Sequence, residues 1–319
     1  MGDAQFSGGT LDDVMRSAIQ GIQAHGSRIH PGKGPATELI GVLLEITDPR
    51  ARLSRTETRG KTFSCLGEFC WYLAKRNDLD FISYYIPAYK KFADGDIIFG
   101  GYGARLFRWR GLDQFANVID LLRTRNDSRK AVIQLFDAND IVEEHKDVPC
   151  TCTLQFMKRQ DRIHMFTNMR SNDVFLGLPH DVFCFTMLQE LAARSLSVEL
   201  GTYKHTVGSL HLYDESADGA QQFLDEGWQS TTPMPPMPPG DPWPNVNALL
   251  EAESSIRGTG SFDTSRLGQL DPYWADLIRL LQVFRCKKGR DADTIETLRA
   301  AMSSKVYFPF IDKVLSEVQ

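Results

Sequence analysis

The sequence predicts an α+β fold, and three observations lead to that prediction. Segments with the apolar spacing of a helix recur between short segments that alternate or are rich in β-branched residues. The 319 residues are enough to bury a sizeable core. Neither internal repeats nor blocks of like charge break the pattern, so we expect one compact unit.

The clearest helix is predicted near the start of the chain, over residues 11–24. Thr10 is a candidate N-cap, and Gly26 stands just beyond the predicted end. The apolar positions that recur at helical spacing are Leu11, Val14, Met15, Ile19 and Ile22. This pattern is typical of an amphipathic helix.

The remaining elements follow from the same two periods. Helices are predicted near 63–76, 111–124, 180–195, 274–285 and 293–304, strands near 41–47, 131–136, 151–159 and 162–169, and one more short element over 305–318. The Pro-rich segment 231–244, TTPMPPMPPGDPWP, would by composition alone be an extended linker.

Composition narrows the class of protein. Hydrophobic residues make up 42% and charged residues 24%, and no apolar stretch approaches the roughly 18 residues of a membrane span. The net charge of -5 supplies no positive field for polyanions, so we expect no nucleic-acid partner. The first residues lack the basic-then-apolar order of a secretory signal, and six cysteines are too few for a disulfide framework. We therefore expect a cytoplasmic protein without a membrane partner.

Cys150 is the best candidate nucleophile on local grounds. It follows Pro149 in DVPCTCTLQF, at the mouth of an alternating strand, where a side chain can project into a cleft. The alternative is that Cys150 and Cys152 share one strand face and pack there. No second Cys or His pair lies near this CxC spacing, so we expect no metal site.

The segment 169–185, MRSNDVFLGLPHDVFCF, is the densest in chemically active side chains. Arg170 follows an alternating strand, and with Ser171 beside it suits bidentate phosphate binding. The alternative for Arg170 is a surface ion pair with Asp173.

Two other positions carry charge where chemistry could use it. Glu68 lies inside the apolar run 63–73, and a buried carboxylate is costly unless it is paired or functional. Arg129 and Lys130, in the segment 128–130, form either a second anion contact or a solvated turn.

Six motifs, in this order and at this approximate spacing, resemble the thymidylate synthase superfamily. They are GEFCWYL at 67–73, GGYGARLFRW at 100–109, DSRK at 127–130, DVPCTCTLQF at 147–156, MRSNDVFLGLP at 169–179 and HLYD at 211–214. The Pro-rich run 233–239 is similar to the family's own proline-rich segment, which argues against a linker there.

The resemblance implies a homodimer of subunits built on a large mixed β-sheet packed by helices, with one sheet face forming the dimer interface. In this family a cysteine thiolate adds to C6 of a pyrimidine nucleoside monophosphate. C5 of the nucleotide then takes the one-carbon unit of 5,10-methylenetetrahydrofolate. The resemblance therefore implies a nucleotide and a folate as partners of this chain.

Roles carry over position by position. Cys150 matches the nucleophile, and Glu68 matches the glutamate that organises proton transfer to the base. Arg170 and Ser171 match the phosphate ligands, and Arg129 and Lys130 match the basic pair that reaches the phosphate from the other subunit. His211 and Tyr213 match the pair that contacts the sugar 3′-hydroxyl, and Tyr102 and Asp173 match further active-site positions. On the folate side, the resemblance implies Asp173, Gly177, Tyr84 and Tyr85. Cationic neighbours also lower a thiol pKa, so the phosphate ligands are expected to activate Cys150.

One departure from the family bears on the base. Where a thymidylate synthase has asparagine after LGLPF, this chain has Asp181 after LGLPH. An amide accepts from N3–H and donates to O4 of uracil, whereas a carboxylate only accepts unless it is protonated. Cytosine offers an amino donor at C4 and a second donor when N3 is protonated. Asp181 therefore predicts a cytidylate substrate, with a selectivity of roughly ten- to a hundredfold or more.

Two further departures bear on the product. The segment 81–92 carries tyrosines, among them Tyr84 and Tyr85, where thymidylate synthases carry tryptophans near the folate ring, and the final residues KVLSEVQ lack the family's aliphatic closing tail. Both changes admit water to the reacting one-carbon unit. Together with Asp181 and PCT in place of PCH, they resemble the cytidylate hydroxymethylase branch.

The sequence thus predicts a folate-dependent 5-hydroxymethylase of CMP or dCMP, with a catalytic domain over 1–264 and a helical extension over 265–319 packed on it. The alternatives are reductive methylation of dUMP or of a cytidylate, and a catalytically retired nucleotide-binding or RNA-binding protein. The choice between ribose and deoxyribose stays open. In the N-terminal phosphate segment, GKGPATEL at 32–39, only Lys33 carries a positive charge.

Overall fold

A computed structural model describes residues 4–54, 56, 61–228, 232–260 and 262–319. One seven-stranded sheet runs through these residues, in the order β1-β3-β7-β6-β5-β4, with β2 beside β3. The strands are β1 (Gln5–Gly8), β2 (Ser27–Ile29), β3 (Ala36–Ile46), β4 (Val132–Gln134), β5 (Thr151–Arg159), β6 (Arg162–Asp173) and β7 (Glu199–Tyr213). The β1–β3 and β6–β7 pairs are parallel and the others antiparallel, so the sheet is mixed, as predicted.

Helices pack on this sheet. They are α1 (Leu11–His25), α2 (Thr62–Leu73), α3 (Leu79–Tyr85), α4 (Tyr102–Phe107), α5 (Gln114–Thr124), α6 (Leu178–Ser195), α7 (Ala217–Asp225), α8 (Trp243–Gly258), α9 (Pro272–Gly289), α10 (Ala292–Ala300) and α11 (Phe308–Val318). The long buried helix α6 lies against β6 and β7, and α2 packs on α6. Among the described residues, no helix is both long and apolar enough to cross a bilayer.

Local signals set several boundaries. The predicted first helix is confirmed, with a capping box between Thr10 and Asp13 and with Gly26 as its C-cap. The helix predicted over 63–76 ends at Leu73, because Lys75 adopts the left-handed region at φ 59°. The strand predicted over 151–159 has those bounds, whereas the one predicted over 162–169 continues to Asp173.

The sequence pattern did not predict the longest strand of the sheet, β7. Its buried positions include Gly201, Tyr203 and His205, residue types that do not produce a plain apolar alternation. His205 is fully buried, and its Nδ1 meets the Tyr203 hydroxyl at 2.8 Å. The same reading assigned no element to α3, α4, α7 or most of α8.

The Pro-rich segment is packed against the core and is not a linker. Its first residue, Thr231, lies outside the described residues. Met234 N donates to Arg50 O at 2.9 Å, and Met237 N donates to Glu190 Oε1 at 2.8 Å. Both methionine side chains are buried. This segment therefore closes over the end of the core that α6 supplies.

A buried ion pair lies beneath this closure. Arg52 Nη2 donates to Glu190 Oε2 at 2.6 Å, and neither side chain is exposed. Arg52 also donates through Nε to Pro49 O at 2.9 Å. Glu190 thus links the segment around Arg52 to the Pro-rich segment through two separate oxygens.

We predict that Glu190→Gln lowers the free energy of unfolding by about 3–5 kcal/mol, because it leaves the Arg52 guanidinium buried without a counter-charge. Urea denaturation measures this loss. The matched control is Arg123→Met, which breaks the exposed i,i+3 pair with Asp120 and should cost no more than about 1 kcal/mol. Equal losses in the two variants would show that burial does not set the strength of the Arg52–Glu190 interaction.

Candidate active site

Strand pairing sets Cys150 and Arg170 side by side. Cys150 immediately precedes β5, and Arg170 N donates to its carbonyl at 2.8 Å. The Arg170 guanidinium then folds back over the same turn, donating to Pro149 O at 3.0 Å and to Val148 O at 2.9 Å. Its Nη2 lies 3.6 Å from Cys150 Sγ. Arg170 therefore holds the loop that presents the thiol and remains exposed enough to meet an anion.

The surroundings of Cys150 raise the pKa of its thiol above the ordinary value. Burial is the largest cause; Arg170 lowers the pKa, Asp147 raises it, and Lys33 lowers it again. Arg170 and Lys33 therefore lower the pKa of this thiol, as expected, but they offset only part of the effect of burial. The thiol stays protonated at neutral pH.

Glu68 is the buried carboxylate of the site, with only 4% of its surface exposed. Tyr72 and Tyr89 donate their hydroxyls to Oε1 at 3.0 and 2.6 Å, and His180 Nδ1 lies 2.7 Å from Oε2. Of the two explanations that the sequence left open, paired or functional, the structure shows that this carboxylate is paired. Burial alone would raise the pKa of Glu68, but His180 and the two tyrosines lower it below the ordinary value.

His180 and Asp181 stand in the first turn of α6, directly above Glu68. Burial opposes a charge on the imidazole, but Cys65 and Glu68 raise the pKa of His180 to about 10. Asp181 behaves in the opposite way: burial and then the Glu68 charge raise its pKa to about 7. Asn172 Nδ2 donates to Asp181 Oδ2 at 2.6 Å. The cluster thus holds one anion, one cation and one carboxyl group that titrates near neutrality.

Three tyrosine and histidine side chains complete the wall of the site. The Tyr102 hydroxyl accepts from Thr151 N at 3.1 Å and from Thr151 Oγ1 at 2.9 Å, beside the nucleophile. The rings of His211 and Tyr213 meet edge to face at 4.8 Å between centroids. Burial, Asp173 and Cys150 raise the pKa of Tyr213, which places its hydroxyl within electrostatic reach of both groups.

The β6–β7 register aligns the remaining motif residues. Ser171 pairs with Ser209, and Asp173 pairs with His211. Asp173 Oδ1 then accepts from Phe175 N and Leu176 N, each at 2.8 Å, and so shapes the turn that leads to Gly177. A Cβ at Gly177 would lie 3.4 Å from Asp173 O and 3.7 Å from Asp181 Oδ2, so this position is in van der Waals reach of that carboxyl group.

Arg129 and Lys130 lie apart from this cluster. Both are exposed on the turn before β4, which is the last strand of the sheet order. Gln155 Nε2 donates to Arg129 O at 3.0 Å, and Lys130 N donates to Ser128 Oγ at 3.2 Å. Their backbone is fixed while their charges face outward, so the role across a dimer interface stays a prediction.

The predicted folate-side tyrosines lie beneath the C-terminal helices. Tyr85 is 4% exposed, donates its hydroxyl to Glu253 Oε1 at 2.9 Å, and stacks on Phe284 of α9. Tyr84 contacts the same Phe284 and lies under Lys288 Nζ at 4.1 Å. The structure thus places Tyr85 in the core, where a ligand has no access to it. Of this segment's tyrosines, Tyr89 is the one that reaches Glu68.

Sequence reasoning missed the roles of four residues that the fold brings to the site: His180, Tyr89, Asn172 and Asp147. His180 had a visible signal, since it replaces the phenylalanine of LGLPF in a motif that otherwise matches. Lys33, which the sequence analysis had noted, also belongs to this cluster. Its Nζ lies over the Phe92 ring at 4.2 Å, and its charge lowers the pKa of Cys150. Arg28, bonded to Asp214 at 2.6 and 2.7 Å, adds a second cation to the N-terminal segment.

The arrangement combines three chemical capabilities in one place. A thiol beside a guanidinium can attack an electrophilic carbon of a substrate that carries an anionic group. Glu68 can accept or relay a proton. Asp181 can read the donor and acceptor pattern of a ring edge.

Three curated relatives are named "Deoxyuridylate hydroxymethyltransferase". The protein of Pseudomonas phage M6 is 31% identical over 176 residues, covering 53% of this chain and 49% of the relative. Those of Bacillus phage SP01 and Delftia phage PhiW-14 are each 28% identical, covering 65% and 60% of this chain. The chain spans 49–58% of the length of these relatives.

The family comparison covers more than half of the chain. The thymidylate synthase family profile matches residues 51–237, a range that includes α2, the strands from β4 to β7 and α6. The motif residues discussed above from Glu68 to Tyr213 all fall within it, and the mixed sheet with its packed helices agrees with the fold that the motifs implied. The chain therefore belongs to the thymidylate synthase family.

Proposed function

We propose that the protein is a folate-dependent 5-hydroxymethylase of a pyrimidine nucleoside monophosphate, with CMP or dCMP as its substrate. The observation that carries this proposal is the carboxyl group of Asp181, which stands beside Glu68 and within electrostatic reach of Cys150. The names of the phage relatives support hydroxymethylation as the reaction.

The protein groups divide the work by position. Arg170 and Ser171 bind the phosphate, and the exposed Arg129 and Lys130 of a second subunit reach the same phosphate in a homodimer. Cys150 Sγ loses its proton and bonds to C6, so that the electron pair of the C5–C6 double bond becomes nucleophilic at C5. His211 and Tyr213 hold the sugar 3′-hydroxyl. Glu68 relays the protons that the base gains and loses.

5,10-Methylenetetrahydrofolate supplies the one-carbon unit when it is bound. The residues just before α6 fit a flat heteroaromatic ring: Leu176 is 43% exposed, and Gly177 presents bare backbone. Asp173, which orders this turn, provides an acceptor for ring donors. We place the folate against these residues, with Tyr84 at the margin beside the C-terminal helices.

The product follows from what reaches the one-carbon unit after transfer. Addition of water gives a 5-hydroxymethyl nucleotide and leaves tetrahydrofolate, whereas hydride transfer gives a 5-methyl nucleotide and dihydrofolate. The absence of tryptophan from 81–92 and the burial of Tyr85 leave less aromatic cover over this position. This favours water addition over the thymidylate synthase type of reductive methylation.

Deoxyuridylate is the second candidate substrate, and two observations favour it. The phage relatives carry its name. Asp181 also titrates at about 7, and its protonated form donates to O4 of uracil while accepting from N3–H. The ionised form loses the donor to O4, so the binding of uracil depends on the protonation of this one group.

Product analysis tests the reaction directly. The purified protein is incubated with methylenetetrahydrofolate together with one nucleotide at a time, namely CMP, dCMP, UMP or dUMP. The mass of each nucleotide is then measured by mass spectrometry. We expect a gain of one CH2O unit on a cytidylate, with tetrahydrofolate as the coproduct. A gain of CH2 with dihydrofolate would replace the proposal by reductive methylation, and CH2O on dUMP alone would assign the second candidate.

We predict that Cys150→Ala abolishes turnover and leaves nucleotide binding within about threefold, because the phosphate ligands do not depend on the thiol. Calorimetry measures binding and the mass assay measures turnover. Cys152→Ala is the matched control, since this thiol lies two residues away and its carbonyl bonds the segment 135–136. Loss of binding in Cys150→Ala on the same scale as loss of turnover would contradict the separation of roles.

We predict that Asp181→Asn shifts the ratio of kcat/KM for cytidylate over uridylate towards uridylate by roughly ten- to a hundredfold. In the wild type kcat/KM for uridylate should fall as the pH increases through about 7, because deprotonation of Asp181 removes the donor to O4. The variant should lack this pH step. An unchanged ratio in Asp181→Asn would show that another residue reads the base.

A further inference from the structure

We propose that His180 is a positioning residue of this reaction: its imidazolium holds Glu68 as an anion, in the orientation needed to relay protons at the base. This role rests on the proposed function of Glu68. The motif comparison gives His180 no task, since the family pattern has phenylalanine at this place.

The contact is direct and enclosed. His180 Nδ1 lies 2.7 Å from Glu68 Oε2, and His180 Nε2 lies 3.4 Å from Ser64 Oγ, one turn earlier on α2. The His180 side chain is 15% exposed and that of Glu68 is 5% exposed. The imidazole therefore lies between solvent and the carboxylate and touches α2 at two points.

A buried carboxylate in this position needs a counter-charge to remain ionised. Burial alone favours its neutral form, and documented buried glutamic acids titrate as high as about 8–9. Tyr72 and Tyr89 donate hydrogen bonds to Oε1 but bring no positive charge. His180 is the cation in contact with the opposite oxygen, so it supplies the charge that keeps Glu68 a proton acceptor.

The remaining titratable neighbours agree with this assignment. Cys65 on α2 and Glu68 act on His180 in the same direction, and both favour the imidazolium. Asp181, the next residue on α6, is the second acid of the cluster. The charge of Glu68 raises the pKa of Asp181 by more than the charge of His180 lowers it. Cys184, one turn further along α6, is a neutral thiol whose pKa burial raises. The single cation thus stays with Glu68, and Asp181 remains the group that titrates.

The role of His180 predicts a defect that depends on pH. In His180→Phe, Glu68 loses its counter-charge and becomes protonated at neutral pH. We expect kcat/KM relative to wild type to fall by about a hundredfold at pH 6 and by no more than about threefold at pH 9, because Glu68 ionises unaided at high pH. The ratio to wild type cancels the titration of Cys150, which the two proteins share.

Two more variants separate charge from shape. His180→Gln keeps an N–H donor for Glu68 without the charge, so it should show the same pH dependence as His180→Phe. His164→Gln is the control; this partly buried histidine bonds Thr202 Oγ1 and lies about 20 Å along β6 from Arg170. For His164→Gln, kcat/KM relative to wild type should stay near one at every pH. A constant defect in both His180 variants across this range would overturn the proposal and leave His180 a purely structural residue.

A measurement without substrate decides the ion pair itself. In protein labelled with ¹⁵N-histidine, the His180 signals, assigned by their loss in His180→Gln, should remain those of an imidazolium at pH 8 in the wild type and should become neutral at a lower pH in Glu68→Gln than in the wild type. A neutral His180 at pH 7 in the wild type would overturn the proposal. If no pyrimidine nucleotide turns over at any pH, the proposed function fails, and this titration still decides whether His180 holds Glu68 ionised.

Discussion

The compensation of buried acids is the constraint on which the rest of this structure depends. A lone carboxylate in a protein interior either loses its charge or finds a cation, because the cost of desolvation is several kcal/mol. Most of the buried acids described here meet one cation each. The pairs are Arg52 with Glu190, Arg105 with Asp140, Arg257 with Glu253, Arg279 with Asp276, and His180 with Glu68. Four of these cations are arginines, whose charge is permanent, and these pairs fasten helices and loops. The fifth is a histidine, and it lies at the candidate site.

The register of the sheet converts this framework into a site. β5, β6 and β7 bring Cys150, Arg170 and His211 to one end of the sheet, because Arg170 N bonds Cys150 O and Asp173 pairs with His211. The first turn of α6 then sets His180 and Asp181 over Glu68. Under the proposed function, the thiol of Cys150, the phosphate ligand Arg170 and the proton-relaying Glu68 come from the start of β5, from β6 and from α2, which pack on the central sheet and α6.

Local patterns predicted those parts of the fold that local chemistry controls. The N-cap at Thr10 and the bounds of β5 could be predicted from neighbouring residues, and the apolar run around Glu68 indicated a carboxylate that is either paired or functional. β7 could not, because its buried positions are filled by Gly201, Tyr203 and His205, which satisfy tertiary contacts that a single sequence does not show. Tyr85 was misplaced for the same reason: Phe284, 199 residues away, covers its ring. The motif matches located most of the candidate site residues, whereas the partners of those residues came only from the fold.

Asp181 is the informative exception among the acids of the core and the site. Its direct partner is the amide of Asn172, and the nearest cation already belongs to Glu68. The amide donates to Oδ2, so a proton on Asp181 is best held on Oδ1, which makes one oxygen an acceptor and the other a donor. A group with this polarity matches a pyrimidine edge that presents one donor and one acceptor. Cytosine presents its donor at the C4 amino group and its acceptor at N3, whereas uracil presents its acceptor at O4 and its donor at N3. Under the proposed function, base selectivity then depends on which oxygen of Asp181 faces N3, and Asn172 contributes to that choice because its amide fixes the polarity of the carboxyl group.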